Sequence, residues 1–296
     1  MRMASKLWAL VPIALAVVVF TAQTALAEVG RAYDVSWPQC GQELPSHADA
    51  AIVGVNGGKP YEENPCLAEQ YRWAVGAAGQ PAFYMNTANP GPASRVVDWY
   101  QQKSPKPSCS RSDEAACAYN YGYNAAKHAF ATAQARTGAA ARHSWWLDVE
   151  TTNSWSGDRA LNTADIVGSL TFLRSQSLPV GLYSTEYQWG RITGGARFPE
   201  LPNWLAGARD GGQAARWCAP DSSFTGGPVL LVQWVEHDLD HNALCGPLPT
   251  VSPGAGPSAN QLDQLLRDVA ALDLGRVLAD LGLAPAPAPV AVAQRG

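Results

Sequence analysis

The chain has 296 residues, of which 47% are hydrophobic and 16% are charged, and its formal net charge at pH 7 is −4. Nucleic-acid binding depends on clustered positive charge, so this acidic balance argues against a nucleic-acid partner. The hydrophobic content is sufficient for a folded core, and the length fits one barrel-sized domain with flanking segments.

The first 27 residues have the layout of a cleavable signal peptide. Arg2 and Lys6 precede an apolar run from Leu7 to Phe20, and the segment ends in Ala25-Leu26-Ala27. The apolar run is shorter than the roughly 20 residues that span a bilayer. We therefore predict a secreted or cell-envelope protein without a stable membrane span. Loss of the two basic residues changes its net charge from −4 to −6.

Seven short apolar runs that end in polar residues or glycine are predicted to be strands. Between them lie helical patterns, in which apolar residues recur at spacings of three and four. Strands that alternate with helices indicate a parallel sheet. The predicted strands are Arg31–Trp37, Ala50–Gly58, Pro81–Gly91, Ser144–Glu150, Val180–Thr185, Pro202–Ala208 and Pro228–Trp234, and the predicted helices include Asn64–Ala78, Tyr119–Arg136 and Asn162–Ser177.

With a further strand near Asp240, this order favours an α/β fold of the TIM-like (β/α) barrel type, with eight or fewer regular strands. An open, doubly wound sheet would produce the same alternation and is the alternative. The barrel domain is predicted to cover residues 28–249.

Six cysteines lie in this domain, and an even number in an exported chain favours disulfides over metal or redox chemistry. Many pairings are possible in principle. Because each cysteine follows a predicted strand or lies in a loop after one, we expect the bridges to join neighbouring loops at the active face of the barrel. The favoured pairs are Cys40 with Cys66, Cys109 with Cys117, and Cys218 with Cys245.

Residues 250–259 are rich in Pro, Gly and Ser and are predicted to be a linker. Residues 260–284 carry an apolar stripe and are predicted to form an amphipathic helical extension that packs on the barrel. A docking or membrane-surface role is the alternative, although the opposite face is not basic. The Pro-Ala tail at 285–296 is predicted to be disordered.

Two carboxylates stand out at the end of the fourth predicted strand. Side chains alternate across a strand, so Trp146, Asp148 and Glu150 share one face. Carboxyl ends of barrel strands are where catalytic groups lie. Two close carboxylates raise one pKa, which produces the protonated acid and ionised partner that glycoside hydrolysis requires. A salt-bridged or capped pair is the structural alternative.

Three motifs resemble the family 25 glycoside hydrolases of lysozyme type. Tyr33–Gln39 resembles their Asp-Val-Ser opening strand, Asp148–Glu150 their Asp-x-Glu strand, and Val232–Trp234 followed by Asp240 their closing strand and final acid. The sequences of three further segments most resemble a divergent actinobacterial branch of secreted glycoside-hydrolase-like domains. These segments are Asn64–Cys66, Asn86–Gly91 and Trp145–Glu150.

The resemblance implies a barrel that hydrolyses cell-wall glycan, peptidoglycan in particular, without a cofactor or metal. It assigns Glu150 as the general acid and Asp148 as the group that orients a 2-acetamido substituent or stabilises positive charge. Asp34 and Asp240 would line the cleft, with Asp238 competing for the last position. The alternative function is a non-catalytic glycan-binding or envelope-structural module on the same barrel.

Further polar and aromatic residues near strand ends are predicted to bind the sugar, although each is also suited to capping a turn. Tyr119–Asn124 offers rings for sugar stacking or, alternatively, for packing. His237 and His241 have a spacing that would suit a metal only on a helix, which their neighbours argue against. The predicted sugar-binding residues are Asn56, Tyr84, Asn86, Tyr183, Gln233 and Trp234.

Overall fold

The computed structural model describes residues 30–78, 81–92, 103–110 and 114–251. In these residues eight strands close into a barrel in chain order. Helices α1 to α5 are Leu67–Ala78, Glu114–Thr137, Arg159–Ser175, Glu186–Thr193 and Gly211–Trp217. Strands β1 to β8 are Gly30–Val35, Ala50–Gly54, Pro81–Asn86, Trp145–Asp148, Val180–Ser184, Asn203–Ala208, Val229–Glu236 and Leu239–Leu244.

The closed barrel confirms the predicted fold and excludes the open sheet. The sheet is not wholly parallel, however, because β8 pairs antiparallel with both β7 and β1. His237 and Asp238 adopt left-handed backbone conformations, with φ of 52° and 60°. They form the two-residue turn of a hairpin in which Glu236 pairs with Leu239. The chain therefore reverses at once, with no helix between the last two strands.

Alternation of side chains along β4 separates two packing layers, as the sequence pattern predicts. Trp145 and Leu147 point outward and pack with residues of α2 and α3 in the main hydrophobic core. Trp146 points into the barrel, where it packs with Trp204 and Leu231. The indole Nε1 of Trp145 donates to the carbonyl of Ala140 at 3.0 Å.

Helices α2 and α3 approach each other so closely that glycine is required at the crossing. A Cβ atom on Gly122 would lie 1.9 Å from the carbonyl oxygen of Asp165, and one on Gly168 would lie 2.1 Å from that of Tyr119. Tyr119 and Tyr121 are buried in this layer. These two rings of the aromatic run at the head of α2 therefore contribute to packing.

All three predicted disulfides are present. Cys40–Cys66 follows β1 and precedes α1, and Cys109–Cys117 lies at the start of α2, so both are at the carboxyl end of the barrel. The expectation that every bridge lies at this end is wrong for Cys218–Cys245. Because β8 is antiparallel, it ends at the amino end of the other strands, where the Cys245 N–H donates to Leu230 near the start of β7.

Among the described residues, no helix combines the length and apolar character needed to cross a membrane. Leu248, which follows β8, is buried against the interior side chains at the amino end of the barrel. The predicted signal segment 1–27, most of the linker at 250–259, the helical extension 260–284 and the tail 285–296 lie outside the described residues.

Candidate active site

A cavity of about 470 Å³ opens at the carboxyl ends of β1 to β7. Four carboxyl groups line it, and none of its described lining residues is basic. We call it the acidic pocket. The four acids are Asp34, Asp148, Glu150 and Asp240, and the other lining residues are Tyr84, Tyr183, Thr185, Gln188, Trp204, Ala206, Gly207, Gln233 and Val235.

Asp34 is fixed by two amide side chains. Gln233 Nε2 lies 3.1 and 3.0 Å from the two carboxylate oxygens, and Asn242 Nδ2 donates to Oδ2 at 2.6 Å. Each amide is oriented in turn, because Tyr183 donates its hydroxyl to Gln233 Oε1 at 2.8 Å and Trp204 Nε1 donates to Asn242 Oδ1 at 2.6 Å. Asp34 therefore accepts hydrogen bonds from donors that are themselves held in place.

Asp148 is the last residue of β4, where the register with β3 places it opposite Asn86. Asn86 Nδ2 donates to its Oδ2. Its Oδ1 is buried and has no hydrogen-bond partner. The backbone is fixed by Thr87, whose Oγ1 donates to the Asp148 carbonyl at 2.6 Å. One carboxyl oxygen is thus committed to the protein, and the other is left unpaired at the pocket.

Glu150 follows the end of β4 and is less buried than Asp148. Gln188 Nε2 lies 3.5 Å from its Oε1. Thr151 orients this amide, since its N–H and Oγ1 both donate to Gln188 Oε1, at 2.6 and 2.9 Å. Trp155 Nε1 donates to the Glu150 carbonyl at 2.7 Å. The side chain is therefore positioned at the mouth of the pocket, two residues above Asp148 on the same face.

Burial is the largest cause of raised pKa values in the pocket. It raises the pKa of Asp34 and of Asp148 well above the ordinary range, with the charge of Asp240 adding to the first and that of Glu150 to the second. Burial also raises the pKa of Glu150, and it raises that of Asp240 to about 6. The sequence predicts that one carboxyl group of the Asp148–Glu150 pair raises the pKa of the other. This coupling is present, and it is the Glu150 charge that raises the pKa of Asp148.

Most of the predicted site residues meet in this pocket. The four acids, Tyr84, Tyr183 and Gln233 line it. Asp238 is an exposed turn residue and does not line the pocket, whereas Asp240 does. Trp234, predicted to bind sugar, is not among the residues that line the pocket. It lies on the opposite face of β7 from Gln233, where its ring stacks on His241 at 5.2 Å.

Two predicted residues act from behind the pocket. Asn86 is committed to Asp148, and Asn56 accepts a hydrogen bond from the Asn86 N–H at 3.0 Å. The other end of the Asn56 amide donates to the carbonyl of Glu62 at 3.2 Å. Neither is among the residues that line the pocket. Their hydrogen bonds support the position of Asp148.

Three important residues were not predicted. Asn242 lies two positions beyond Asp240, so strand alternation would have placed both on one face. Gln188 belongs to α4, whose start carries the capping pattern of Thr185 and a glutamine three residues later. Trp204 donates to Asn242 from a predicted strand, but nothing in its local sequence indicates that contact.

The described residues include no group of three or more His, Cys, Asp or Glu side chains arranged to hold a metal ion. His237 and His241 lie in the β7–β8 turn and on β8, not on a helix.

Comparisons with known proteins agree with this architecture. A family model described as "Lysozyme-like protein 1" matches residues 110–223. "Probable GH family 25 lysozyme 4" of Dictyostelium discoideum is 40% identical over 64 residues, which cover 20% of this chain and 30% of that protein. The chain therefore aligns with less than a third of the length of that relative.

Among solved structures, a bacterial lysozyme from Streptomyces coelicolor matches with a TM-score of 0.51 and 16% identity, covering 81% of this chain and 97% of that one. A muramidase from Trichobolus zukalii has a TM-score of 0.47 and 16% identity, with coverage of 74% and 94%. The Streptomyces match identifies the protein as a barrel of the lysozyme fold.

The Streptomyces match, the family model and the Dictyostelium relative together confirm that the chain is similar to the family 25 lysozymes, as the motifs predict. The nearer likeness to an actinobacterial branch stays a prediction.

Proposed function

We propose that this protein hydrolyses glycosidic bonds of cell-wall glycan, peptidoglycan in particular, with Glu150 as general acid and Asp148 as its partner. The observation that carries the proposal is the pair itself. Asp148 lies deep at the end of β4, and Glu150, two residues later, lies at the mouth of the same pocket, whose described lining has no basic residue. Such a pair cannot easily carry two charges, so one proton is retained near neutral pH.

The position of that proton depends on the substrate. Without a ligand, burial and the Glu150 charge favour the proton on Asp148, whose pKa is raised well above its ordinary range. The unpaired Oδ1 of Asp148 is suited to accept the N–H of a 2-acetamido group. That hydrogen bond would stabilise ionised Asp148 and leave the proton on Glu150, next to the leaving oxygen. Substrate binding would thereby prepare the acid.

The remaining lining suits a sugar. Tyr84, Tyr183 and Trp204 provide aromatic walls, and pyranose rings pack on such surfaces through their C–H faces. Asp34 is held by Gln233 and Asn242, so it keeps the floor polar without reorganising when a sugar enters. The name lysozyme carried by the Dictyostelium and Streptomyces proteins supports a cell-wall polysaccharide as substrate. Three disulfides support an exported, extracellular or envelope-associated protein.

The test compares wild type with Glu150→Gln on purified peptidoglycan and other envelope polysaccharides. Release of reducing ends and binding of glycan are measured on the same preparations. Gln keeps the shape but has no proton to give, so turnover should fall on the order of 10²-fold or more while binding and melting temperature stay near wild type. Glu186→Gln is the matched control, since Glu186 is exposed in the first turn of α4 and does not line the pocket.

The Glu150→Gln variant also tests whether the Glu150 charge raises the pKa of Asp148. Removing the Glu150 charge should lower the pKa of Asp148 toward its ordinary value, which carboxyl NMR titration would measure. Unchanged cleavage by Glu150→Gln would remove Glu150 as the acid. Binding without cleavage by wild type across the whole panel would make the protein a glycan-binding module instead.

A further inference from the structure

A second cavity, of about 440 Å³, lies beside the acidic pocket, between the β4–α3 loop and the end of α4. Its lining includes two arginines, Arg159 at the start of α3 and Arg191 in α4, with Trp155 and Asn162 between the two elements. We call it the arginine pocket. Its chemistry is opposite to that of its neighbour, because it has positive charge and none of its described lining residues is acidic.

The floor of the arginine pocket is built around Asn162, which is 1% exposed. Its Nδ2 donates to the carbonyls of Ser156 and Ile192, at 2.9 and 3.0 Å. Its Oδ1 accepts from Ser156 N–H at 3.0 Å and from Asn89 Nδ2 at 3.1 Å. One buried amide therefore ties together the β4–α3 loop, α4 and the segment after β3. The pocket is a fixed part of the fold.

Arg159 and Arg191 are both exposed residues. Among the described residues neither forms an ion pair, whereas Arg136 and Arg174 pair with Glu63 and Glu200. The side chain of Arg159 lies close to Gly194 at the end of α4, where a Cβ would be 3.3 Å from its Cδ. The neighbouring carboxylate of Asp158 is used to cap α3 through the Ala160 N–H at 2.8 Å. The guanidinium groups thus lack a neutralising partner in the pocket.

Two hydrogen-bonded contacts connect this pocket to the acidic one. Trp155, which lines the arginine pocket, donates its indole N–H to the Glu150 carbonyl at 2.7 Å. Thr151 lines the arginine pocket and bonds Gln188, which lines the acidic pocket and contacts Glu150. Lining residues of the two cavities are therefore hydrogen-bonded to each other. A substituent that extends from a chain bound at Glu150 along the β4–α3 loop would meet Arg159 and Arg191.

We infer that the arginine pocket binds a carboxylate carried by the glycan that occupies the acidic pocket. The inference rests on the proposed function and names the part of the substrate that the second cavity recognises. Planar guanidinium groups match carboxylates through paired N–H donors. Trp155 adds an apolar ring beside them, suited to the alkyl part of the same substituent.

Muramyl glycans offer this carboxylate from two sources. When a stem peptide is attached, the carboxylates belong to the peptide. When the peptide has been removed, the lactyl group itself is a free carboxylate. The shared chemistry is one anionic, planar group on a side branch of the sugar chain, and the two sources are separated by using both forms of the strand as ligands.

The experiment measures binding by the full chain carrying Glu150→Gln, so that the ligand is not consumed. The ligands are peptide-bearing glycan strands, strands stripped by an amidase, and each preparation after chemical amidation of its carboxyls. In this background Arg159→Gln with Arg191→Gln should weaken binding of the carboxylated strands by about tenfold or more and leave amidated strands unaffected. A larger effect on peptide-bearing strands identifies the stem carboxylate, and a larger effect on stripped strands identifies the lactyl group.

Arg174→Gln is the matched control, because it removes the same charge from the far end of α3. It should leave binding of every ligand unchanged. Arg191→Lys keeps the charge without the paired donors and should fall between wild type and Arg191→Gln. Melting temperatures identify any variant that fails to fold, and the single variants then replace the double one.

Equal binding of carboxylated and amidated strands by the unsubstituted arginine pocket would overturn the inference, as would equal weakening of both ligands by the double variant. Neither result touches the proposed function, which depends on hydrolysis of the same strands by wild type. Absence of both binding and hydrolysis on every strand would overturn the proposed function and this inference together.

Discussion

The interior of the barrel has two halves of opposite character. At the amino end the inward side chains are apolar, with Ala32, Ile52, Trp146 and Leu231 in contact. Two residues further along three of these strands the inward side chains become Asp34, Asp148 and Gln233. The same face of the same strand therefore supplies first the core and then the site.

Strand β8 shows that the level of a residue along the barrel axis, and not its order within the strand, determines whether its inward side chain is polar or apolar. Because β8 is antiparallel, its polar residues come first. Asp240 lies opposite Asp34, Asn242 lies opposite Ala32 and donates its side-chain amide to Asp34, and Leu244 comes last, beside the apolar half. Burial is favourable in the lower half, while it raises the carboxyl pKa values in the upper half. We expect side chains of the lower half to increase the free energy of unfolding, and the buried carboxyl groups of the upper half to decrease it.

The largest predicted effect is in the lower half. Trp146 is fully buried, and its ring lies so close to Gly181 that a Cβ there would be 2.2 Å from it. Trp146→Ala should reduce the free energy of unfolding by about 3–5 kcal/mol through lost burial and a cavity. Urea unfolding measures this, with Trp146→Phe as the milder control. A loss below that of the Phe variant would contradict the assignment of this half to stability.

Two disulfides offer a matched comparison across the ends of the barrel. Cys40–Cys66 and Cys218–Cys245 close loops with sequence separations of 26 and 27 residues. Replacing either pair by alanine should therefore cost about 3–4 kcal/mol by the same entropic effect. Only the first holds the segment after β1 behind Asp34, so only its loss should also lower kcat/KM, by roughly tenfold. Equal kinetic effects from the two replacements would break the comparison.

A smaller effect is expected from the amide that supports Asp34. Gln233→Met keeps the side-chain length but removes the acceptor for Tyr183 and a donor to Asp34. Leaving those buried groups unpaired should cost about 1–3 kcal/mol. The pKa of Asp34 should rise further, because the hydrogen bond from Gln233 lowers it. Unfolding and carboxyl NMR titration on one sample test both statements, and an unchanged titration would show that the amide does not act on Asp34.

The smallest predicted effect is an increase in stability, whereas the preceding substitutions decrease it. The pKa of Asp240 is raised from 3.8 to about 6, so the folded state binds this proton more tightly than the unfolded chain. The resulting stabilisation is present below pH 3.8 and is lost as the pH rises through 6. Asp240→Asn should therefore be more stable than wild type at pH 7 by about 1 kcal/mol, a value reduced for partial exposure, and equal to it at pH 3. Unfolding at both pH values measures the difference, and a variant less stable at pH 7 would refute it.

Much of this protein was determined by its sequence alone. Apolar runs and their spacing predicted seven strands and the barrel, and strand alternation placed Trp146, Asp148 and Glu150 on the inner face. The position of each cysteine relative to the strands predicted all three disulfides. These features depend on periodicity and on neighbours along the chain, which a sequence displays directly.

Other features were decided only by the tertiary structure. Reversal of β8 moved Cys245 to the opposite end of the barrel, and the strand register placed Asn86 beside Asp148. Gln233 and Asn242, which hold Asp34, are 199 and 208 residues away from it in the chain. The arginine pocket depends on where α4 ends against the β4–α3 loop. Such contacts are set by closure of the barrel, which brings distant segments to the same height, and no local pattern encodes that distance.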